Sequence, residues 1–304
     1  MSCKKQASTF EETSHSNFET ENVIIVVIDG PRYSETWGDP LRLNIPRTKN
    51  DLAPIGVVCS QFYNNGKTNT NNGHSALTTG HYHNINNTGL EKPYYPSIFQ
   101  YFRYMRNGNK SDSWIIASKD KLHVLSDCSY QSWEGKYNPS FNCGVNENGQ
   151  GGYRHDSITY NKAISIFSSD HPKLALINFR EPDFSGHKND WNAYIQGIKD
   201  TDEYIYQLWN FIQNDSVYAN KTTLIITNDH GRHLDGIANG FISHGDDCMG
   251  CKKINFLALG PDFKQGVVTE TPAELIDIST TISYLLSYSM PTSEGRIMHE
   301  LFDD

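Results

Sequence analysis

Apolar residues in this chain come in short, dense runs separated by longer amphipathic stretches. Residues 23–28 (VIIVVI), 114–117, 174–177, 224–227 and 254–259 are rich in Val, Ile and Leu and show little alternation. That pattern predicts strands covered on both faces. Between them the apolar period lengthens to that of a helix. Ile195, Ile198, Ile205, Leu208 and Ile212 fall on one face, with Lys199, Asp200, Asp202 and Glu203 largely off it. Segments 97–105, 158–167 and 273–286 read the same way. Strands alternating with helices predict an α/β sandwich, a largely parallel central sheet with helices on both faces. The Gly- and Asn-rich segments 64–74, 84–89 and 136–152 are then loops over one sheet edge. In such a sheet, ligands bind at the carboxyl ends of the strands.

At 304 residues the chain is long enough for one large α/β domain or two small ones, and neither an internal repeat nor a linker divides it. Charged residues make up 20% and hydrophobic ones 37%, an ordinary globular balance. The net charge of -9 argues against a surface for a nucleic acid duplex. The apolar runs are strand-sized, too short for a transmembrane helix. Residues 1–20 lack apolar periodicity and read as a disordered leader, leaving 21–304 as the folded domain. Ser2-Cys3-Lys4-Lys5-Gln6 resembles the mature start of a bacterial lipoprotein, with Met1 standing in for a removed signal peptide. That resemblance implies a membrane tether through a lipidated Cys3 and export to the periplasm or outer membrane, with a cytoplasmic location as the alternative.

Cys248 and Cys251 form a single C-x-x-C with no second pair at zinc-knuckle spacing, a weak sign of structural zinc. In an exported protein, local Cys248–Cys251 and Cys128–Cys143 disulfides are expected, leaving Cys59 as a buried thiol. The alternative is that all are reduced.

Three of the predicted strands run into acidic residues. The first ends at Asp29-Gly30; the third is followed by Asp183 and, four residues on, His187; the fourth runs into Asp229-His230-Gly231. His244 lies just before the next strand. If the strands are parallel neighbours, these side chains converge at one end of the sheet. Such a nitrogen and oxygen set suits two divalent cations, with zinc favoured by the imidazoles and manganese or iron as alternatives. In segment 67–80, Gly73 before a short helical run would set a hydroxyl near helix N-terminal amides, a site for an oxyanion or phosphate.

Asp29-Gly30, Thr70-Asn71-Asn72-Gly73-His74, Asp183-Phe184-Ser185-Gly186-His187, Asp229-His230-Gly231 and His244-Gly245 stand in the order used by the alkaline phosphatase superfamily. The chain is similar to its nucleotide pyrophosphatase/phosphodiesterase, phosphonoacetate hydrolase and Thr-type phosphate-monoesterase branches. The resemblance spans roughly residues 23–260. It implies an alkaline-phosphatase-like sandwich and a phosphoric ester hydrolase, acting on a small anionic phosphorylated substrate. By the same resemblance, Asp183, His187 and His244 would hold one zinc, and Asp29, Asp229 and His230 the other. Thr70 would complete that second shell as nucleophile and form a phospho-threonine. Three carboxylates against two dications leave a positive site for an anion despite the acidic chain. The sulfatase C/S-x-P-x-R motif is missing from the chain, which argues against arylsulfatase chemistry. Cofactor-independent phosphoglycerate mutases use Ser and carry a large inserted domain, for which the chain is too short.

Lys119 and Lys121, after the strand 114–117, resemble a Lys-Asp-Arg or Lys-Asp-Lys element that contacts the substrate's anionic oxygens in the monoesterase and phosphonoacetate branches. Lys121 stands where the monoesterases have Arg, so a point charge replaces a bidentate clamp. The family's phosphate-binding Asn is expected at Asn87, with Asn86 next. His74, His81, His83 and His233 are expected as structural or loop histidines. The alternatives to phosphate ester hydrolysis are C–P cleavage of a carboxylated phosphonate, and a sulfatase-like or anion-binding relative without turnover.

Overall fold

The computed structural model describes residues 18–303; the Cys3 tether and most of the leader lie outside them. Phe18 and Thr20, expected within the leader, are packed instead. The Phe18 ring contacts Tyr284 and Phe302, and the Thr20 hydroxyl donates to Asp262.

The strands are β1 (Asn22–Asp29), β2 (Gly56–Cys59), β3 (Phe62–Tyr63), β4 (Ser113–Ala117), β5 (Ser140–Cys143), β6 (Leu174–Pro182), β7 (Thr222–Asn228), β8 (Phe256–Leu259), β9 (Val267–Thr269) and β10 (Ala273–Glu274). The α-helices are α1 (Thr70–Thr79), α2 (Ile98–Met105), α3 (Asp156–Asp170), α4 (Asp183–His187), α5 (Trp191–Asn214), α6 (Met249–Lys252) and α7 (Leu275–Leu285). Eight strands form the main sheet in the order β5-β4-β6-β1-β7-β8-β2-β9. Its pairings are parallel except around β8, which runs antiparallel to both β7 and β2.

The expected two-faced burial follows from β1. Val23, Ile25 and Val27 face one core, shared with α1, α2 and α7 through Leu77, Phe99 and Ile282. Ile24, Val26 and Ile28 face the other, shared with α3 and α5 through Phe167, Ile205 and Leu208. Successive strand side chains point to opposite faces, so a run without alternation is what a strand between two helical layers requires.

Two differences from the sequence expectation have physical causes. β5 lies in a predicted loop; it is an edge strand paired only with β4 in the sheet, and its Ser-Phe-Asn-Cys sequence carries little apolar signal. β6 extends beyond the expected 174–177 because Asn178 and Phe179 stay in register with Val27 and Ile28 of β1. The expected disulfides do not form: Cys59, Cys128, Cys143, Cys248 and Cys251 are all free thiols.

That β6–β1 register shifts between Ile28 and Asp29, bringing Asp29 opposite Pro182. The displaced backbone is held by Asp156 at the start of α3, whose carboxylate accepts the Arg180 N–H (2.8 Å) and the Glu181 N–H (3.0 Å). Asp156→Ala strands both donors in a buried setting and is expected to cost about 1–3 kcal/mol, read as a lower urea midpoint. An unchanged midpoint would show that another group holds this bulge.

Candidate metal centre

The register of three neighbouring strands sets the site. Ile28 pairs with Asn228 of β7, so Asp29 and Asp229 leave the sheet side by side, and Asp183 follows Pro182 directly. Helix α1 reaches the same place because Gly73 has no Cβ; any side chain there would run into the backbone of Asp229. That close approach puts Thr70, the first residue of α1, at the carboxyl edge of the sheet, with Asn69 capping the helix from its side chain.

The expected ligands come together in two overlapping groups, joined where the His230 and His244 rings stack with centroids 3.8 Å apart. In the first, Asp183 Oδ1 lies 3.2 Å from His187 Nε2 and 3.2 Å from His244 Nε2, and the two imidazole nitrogens are 3.0 Å apart. Atoms bound tetrahedrally to one zinc stand about 3.3 Å apart, so little adjustment is needed. In the second, His230 Nε2 lies 3.5 Å from Asp29 Oδ1 and 3.4 Å from Asp229 Oδ2. These three atoms are buried and make no hydrogen bond. Each of them has a sibling atom that is engaged. Asp29 Oδ2 accepts from Asn178, Asp229 Oδ1 accepts the Gly30 and His230 N–H groups, and His230 Nδ1 donates to the Gly231 carbonyl. His244 Nδ1 likewise donates to the Thr68 carbonyl, leaving Nε2 as a lone pair facing Asp183. These tautomers follow from the hydrogen-bond network.

Buried polar atoms nearly always have a hydrogen-bond partner, so three converging atoms without one fit a bound cation. The donor set of three carboxylates and three imidazoles fits two divalent ions.

The charges of the cluster are strongly shifted. Burial alone would raise the Asp183 carboxyl, but Lys119, His187, His244 and Arg232 outweigh it and hold it well below the usual range. Asp29 is lowered in the same way, burial being overcome mainly by Lys119. Burial and the neighbouring His230 push His244 down to about 4, so its imidazole is neutral and able to ligate at neutral pH. His230 is raised, because Asp229 and Asp29 override its burial.

Thr70, Asn87, Lys119 and Lys121 line a cleft of about 620 Å³ together with Asp183, His187 and His244. Lys119, expected as a substrate contact, sits deeper than that role suggests. Its ammonium lies 2.6 Å from Asp183 Oδ2, 2.8 Å from Asp29 Oδ1 and 3.1 Å from Thr70 Oγ. The Asp29 contact is an ion pair, and that oxygen makes no hydrogen bond. Lys121 donates to Asn87 Oδ1 at 3.0 Å, and the same oxygen accepts the Asn71 N–H at 3.0 Å. Asn86 is not brought to the cleft; its side-chain oxygen accepts from Thr88.

Two supporting residues, Arg232 and Asn178, carried no motif signal, and His74, expected as a structural histidine, acts as one. The buried Arg232 guanidinium pairs with Asp183 Oδ1 and donates to the Phe241 and Ile242 carbonyls. Asn178 reaches both Asp29 and His74. His74 Nδ1 lies 2.9 Å from the Thr70 carbonyl and 3.3 Å from Asp229 Oδ2, and its Nε2 lies 3.2 Å from the Asn178 amide nitrogen, so both its nitrogens are engaged and it braces α1 against the cluster.

A family model described as the Metalloenzyme superfamily matches residues 107–289. That span includes Lys119, Asp183, His187, Asp229, His230 and His244, with Asp29 and Thr70 before it. The 2,3-bisphosphoglycerate-independent phosphoglycerate mutase of Gracilaria tenuistipitata var. liui is 30% identical over 138 residues, 44% of this chain and 25% of that protein. The mutase of Haloquadratum walsbyi is 26% identical over 134 residues, 43% of this chain and 25% of that protein. In each case the match spans a quarter of the relative's length.

Among solved structures, inactive murine ectonucleotide pyrophosphatase/phosphodiesterase 5 in complex with AMP superposes with a TM-score of 0.67 at 16% identity, covering 93% of this chain and 100% of that one. The phosphonate monoester hydrolase of Silicibacter pomeroyi gives 0.63 at 14%, covering 92% and 76%. The PsFucS1 sulfatase from Pseudoalteromonas sp. gives 0.65 at 13%, covering 94% and 72%. Identities this low establish a shared alkaline-phosphatase-like fold and nothing finer.

Asp229→Asn keeps the oxygen that accepts the Gly30 and His230 N–H groups while removing one of the crowded charges. In chelator the variant is expected to melt no lower than the parent. Zinc at a hundredfold its dissociation constant should stabilise the parent by about 2.7 kcal/mol and the variant far less. Equal zinc-induced shifts in the two proteins would remove Asp229 from the ligand set.

Proposed function

The chain belongs to the metalloenzyme superfamily, and on that footing we propose that it hydrolyses phosphate esters with Thr70 as nucleophile. In this reading Asp183, His187 and His244 hold one divalent ion and Asp29, Asp229 and His230 the other, zinc by ligand type. The observation that carries the proposal is the cleft itself. Thr70 opens onto it beside both ligand clusters, and Lys67, Lys119, Lys121 and Lys188 line it against the single carboxylate of Asp183. An acidic chain that concentrates lysines around one hydroxyl is arranged for an anion.

Divalent ions bound there would supply Lewis acidity to the phosphoryl oxygens and to the Thr70 hydroxyl. The chain's own residues account for the rest. Thr70 Oγ forms the new P–O bond as the ester P–O bond breaks, and its proton is lost to solvent. Water then adds to phosphorus and Thr70 Oγ leaves, regaining a proton. Burial would lower the Lys119 amine, but Asp183 and Asp29 raise it, so it stays an ammonium. From 3.1 Å it stabilises negative charge on Thr70 Oγ and does not serve as a base. Asn87 has its oxygen tied to Asn71 and Lys121, which leaves its amide N–H groups for a phosphoryl oxygen. Two further lysines, Lys67 and Lys188, also favour a second reading, cleavage of a phosphonate that carries a carboxylate.

Thr70→Ala is expected to lower kcat on p-nitrophenyl phosphate at least about a thousandfold, and a variant that still turned over would overturn the nucleophile. A panel of monoester, diester and phosphonoacetate substrates, with products identified by phosphorus NMR, separates the two readings.

Burial, reinforced by Lys119, pushes the Lys121 amine down to about 8. Its charge is therefore present below that pH and lost above it. KM for a dianionic monoester should rise as pH passes about 8, and Lys121→Ala should raise it roughly tenfold at pH 7 and flatten that step. An equal effect on a monoanionic diester would remove the role.

A further inference from the structure

Among the described residues, one cluster of metal-ligating side chains stands apart from the candidate metal centre. His233, Asp246, Cys248 and Cys251 each offer one ligand atom, and the four atoms lie within 4.8 Å of one another. We propose that these residues form a separate structural site for a divalent metal of zinc type, one that clamps the His244 loop onto the segment carrying His230. The proposal goes beyond hydrolysis and does not depend on it.

The chemistry of the set is selective. Two thiolates, an imidazole and a carboxylate form a complete tetrahedral shell with no open position, the arrangement of a structural zinc rather than a catalytic one. Paired thiolates also disfavour magnesium, calcium and manganese. Tetrahedral ligands at zinc stand about 3.3–3.8 Å apart, so closing the cluster takes a contraction of no more than about 1–1.5 Å.

The ligands are already oriented. His233 is 94% buried, and its Nε2 makes no hydrogen bond although Asp246 Oδ2 is 3.0 Å away. Its Nδ1 is held by the Ser243 hydroxyl at 3.0 Å, the outer contact that fixes a metal-binding imidazole. Asp246 Oδ1 accepts the Cys248 N–H at 3.0 Å, which turns Oδ2 toward the imidazole. Cys251 is buried and Cys248 partly so, and both are free thiols.

The backbone already crosses tightly here. The Gly231 N–H donates to the Cys251 carbonyl at 2.8 Å, and a Cβ at Gly231 would collide with the Gly250 carbonyl. One strand of this crossing carries His230 and Arg232, and the other leads back to His244. Between them, residues 234–248 are mostly exposed or half-exposed and bring little apolar packing of their own. A metal bridge supplies the cross-link that a core would supply elsewhere.

Cobalt(II) substitution of the full chain, stripped with chelator under reducing conditions, tests this directly. Cobalt bound to Cys gives a thiolate-to-metal charge-transfer band in the near ultraviolet, which the nitrogen and oxygen ligands of the cleft cannot produce. The band is expected in the parent protein and, undiminished, in Asp183→Ala, and it should vanish in the double variant Cys248→Ser/Cys251→Ser. Native mass spectrometry of the zinc form should show the double variant carrying about one ion fewer per chain than the parent. No band in the reduced parent overturns the proposal, as does a band that survives both substitutions. A Cys248–Cys251 disulfide in protein purified with zinc also overturns it. If the cleft bound no metal, the band would still appear, so the two readings fail separately.

Discussion

The structure is organised around a repulsion. Parallel pairing of β6, β1 and β7 delivers Asp183, Asp29 and Asp229 to one spot, each fully buried or nearly so. Asp29 and Asp229 bring oxygens within 4.8 Å of each other, where two like charges cost about 3 kcal/mol even at an effective dielectric near 20. Lys119 and Arg232 return two positive charges to the three negative ones. One charge is left over unless His230, raised by Asp229 and Asp29, is protonated, and three ligand atoms face each other without a hydrogen bond. The sheet register fixes where the three carboxylates emerge, so the repulsion is built into the strand pairing. Cations from outside the chain are the physical resolution, in keeping with the family to which the chain belongs.

That constraint explains the placement of parts that do no chemistry. Asp156 holds the β6 bulge that lets Asp183 turn back toward Asp29. Gly73 lets α1 rest on the Asp229 backbone, and His74 and Asn178 brace it there. Arg232 meets Asp183 on the side away from Lys119 through the other carboxylate oxygen, so each oxygen of Asp183 has a cation beside it. Removing such a brace would loosen a ligand without touching substrate. The lining and the supports therefore have separable effects on turnover and on metal retention.

How much of this was legible in the sequence varied with the interaction. Dense apolar runs identified β1, β4, β6 and β7, since a strand under two helical layers has no polar face to interrupt the run. Asp29, Asp183 and Asp229 could be found because each ends or follows such a run. β5 could not, since an edge strand lacks that burial. Arg232 and Asn178 also escaped: both are polar residues whose partners are distant in sequence, and no local period marks them. Lys119 could be placed near the substrate by its position after β4, but not among the carboxylates, because that depends on the reach of a flexible chain into a buried charge. The Cys248–Cys251 pair looked incomplete for the same reason. Its other two members, His233 and Asp246, come from a loop crossing rather than from a repeated spacing.

Of the six candidate ligands, His244 is the one whose position depends most on chain order. Asp29, Asp183 and Asp229 leave strands or helices directly, and His230 follows Asp229. His244 sits in a long segment between β7 and α6 and is fixed by its Nδ1 contact to the Thr68 carbonyl. A ligand on such a segment binds metal only after the segment is ordered, and ordering each residue costs about 1–2 kcal/mol of backbone entropy. Any contact that orders residues 243–248 beforehand lowers that cost and would raise affinity for an ion beside Asp183 without touching it. The Thr68 hydroxyl, which donates to the Asp246 carbonyl at 2.7 Å, is such a contact. Because Thr68 precedes Thr70 by two residues, the segment that holds the loop is continuous with the one that presents the Thr70 hydroxyl to the cleft. Order at His244 and order at Thr70 are therefore coupled through a single stretch of backbone.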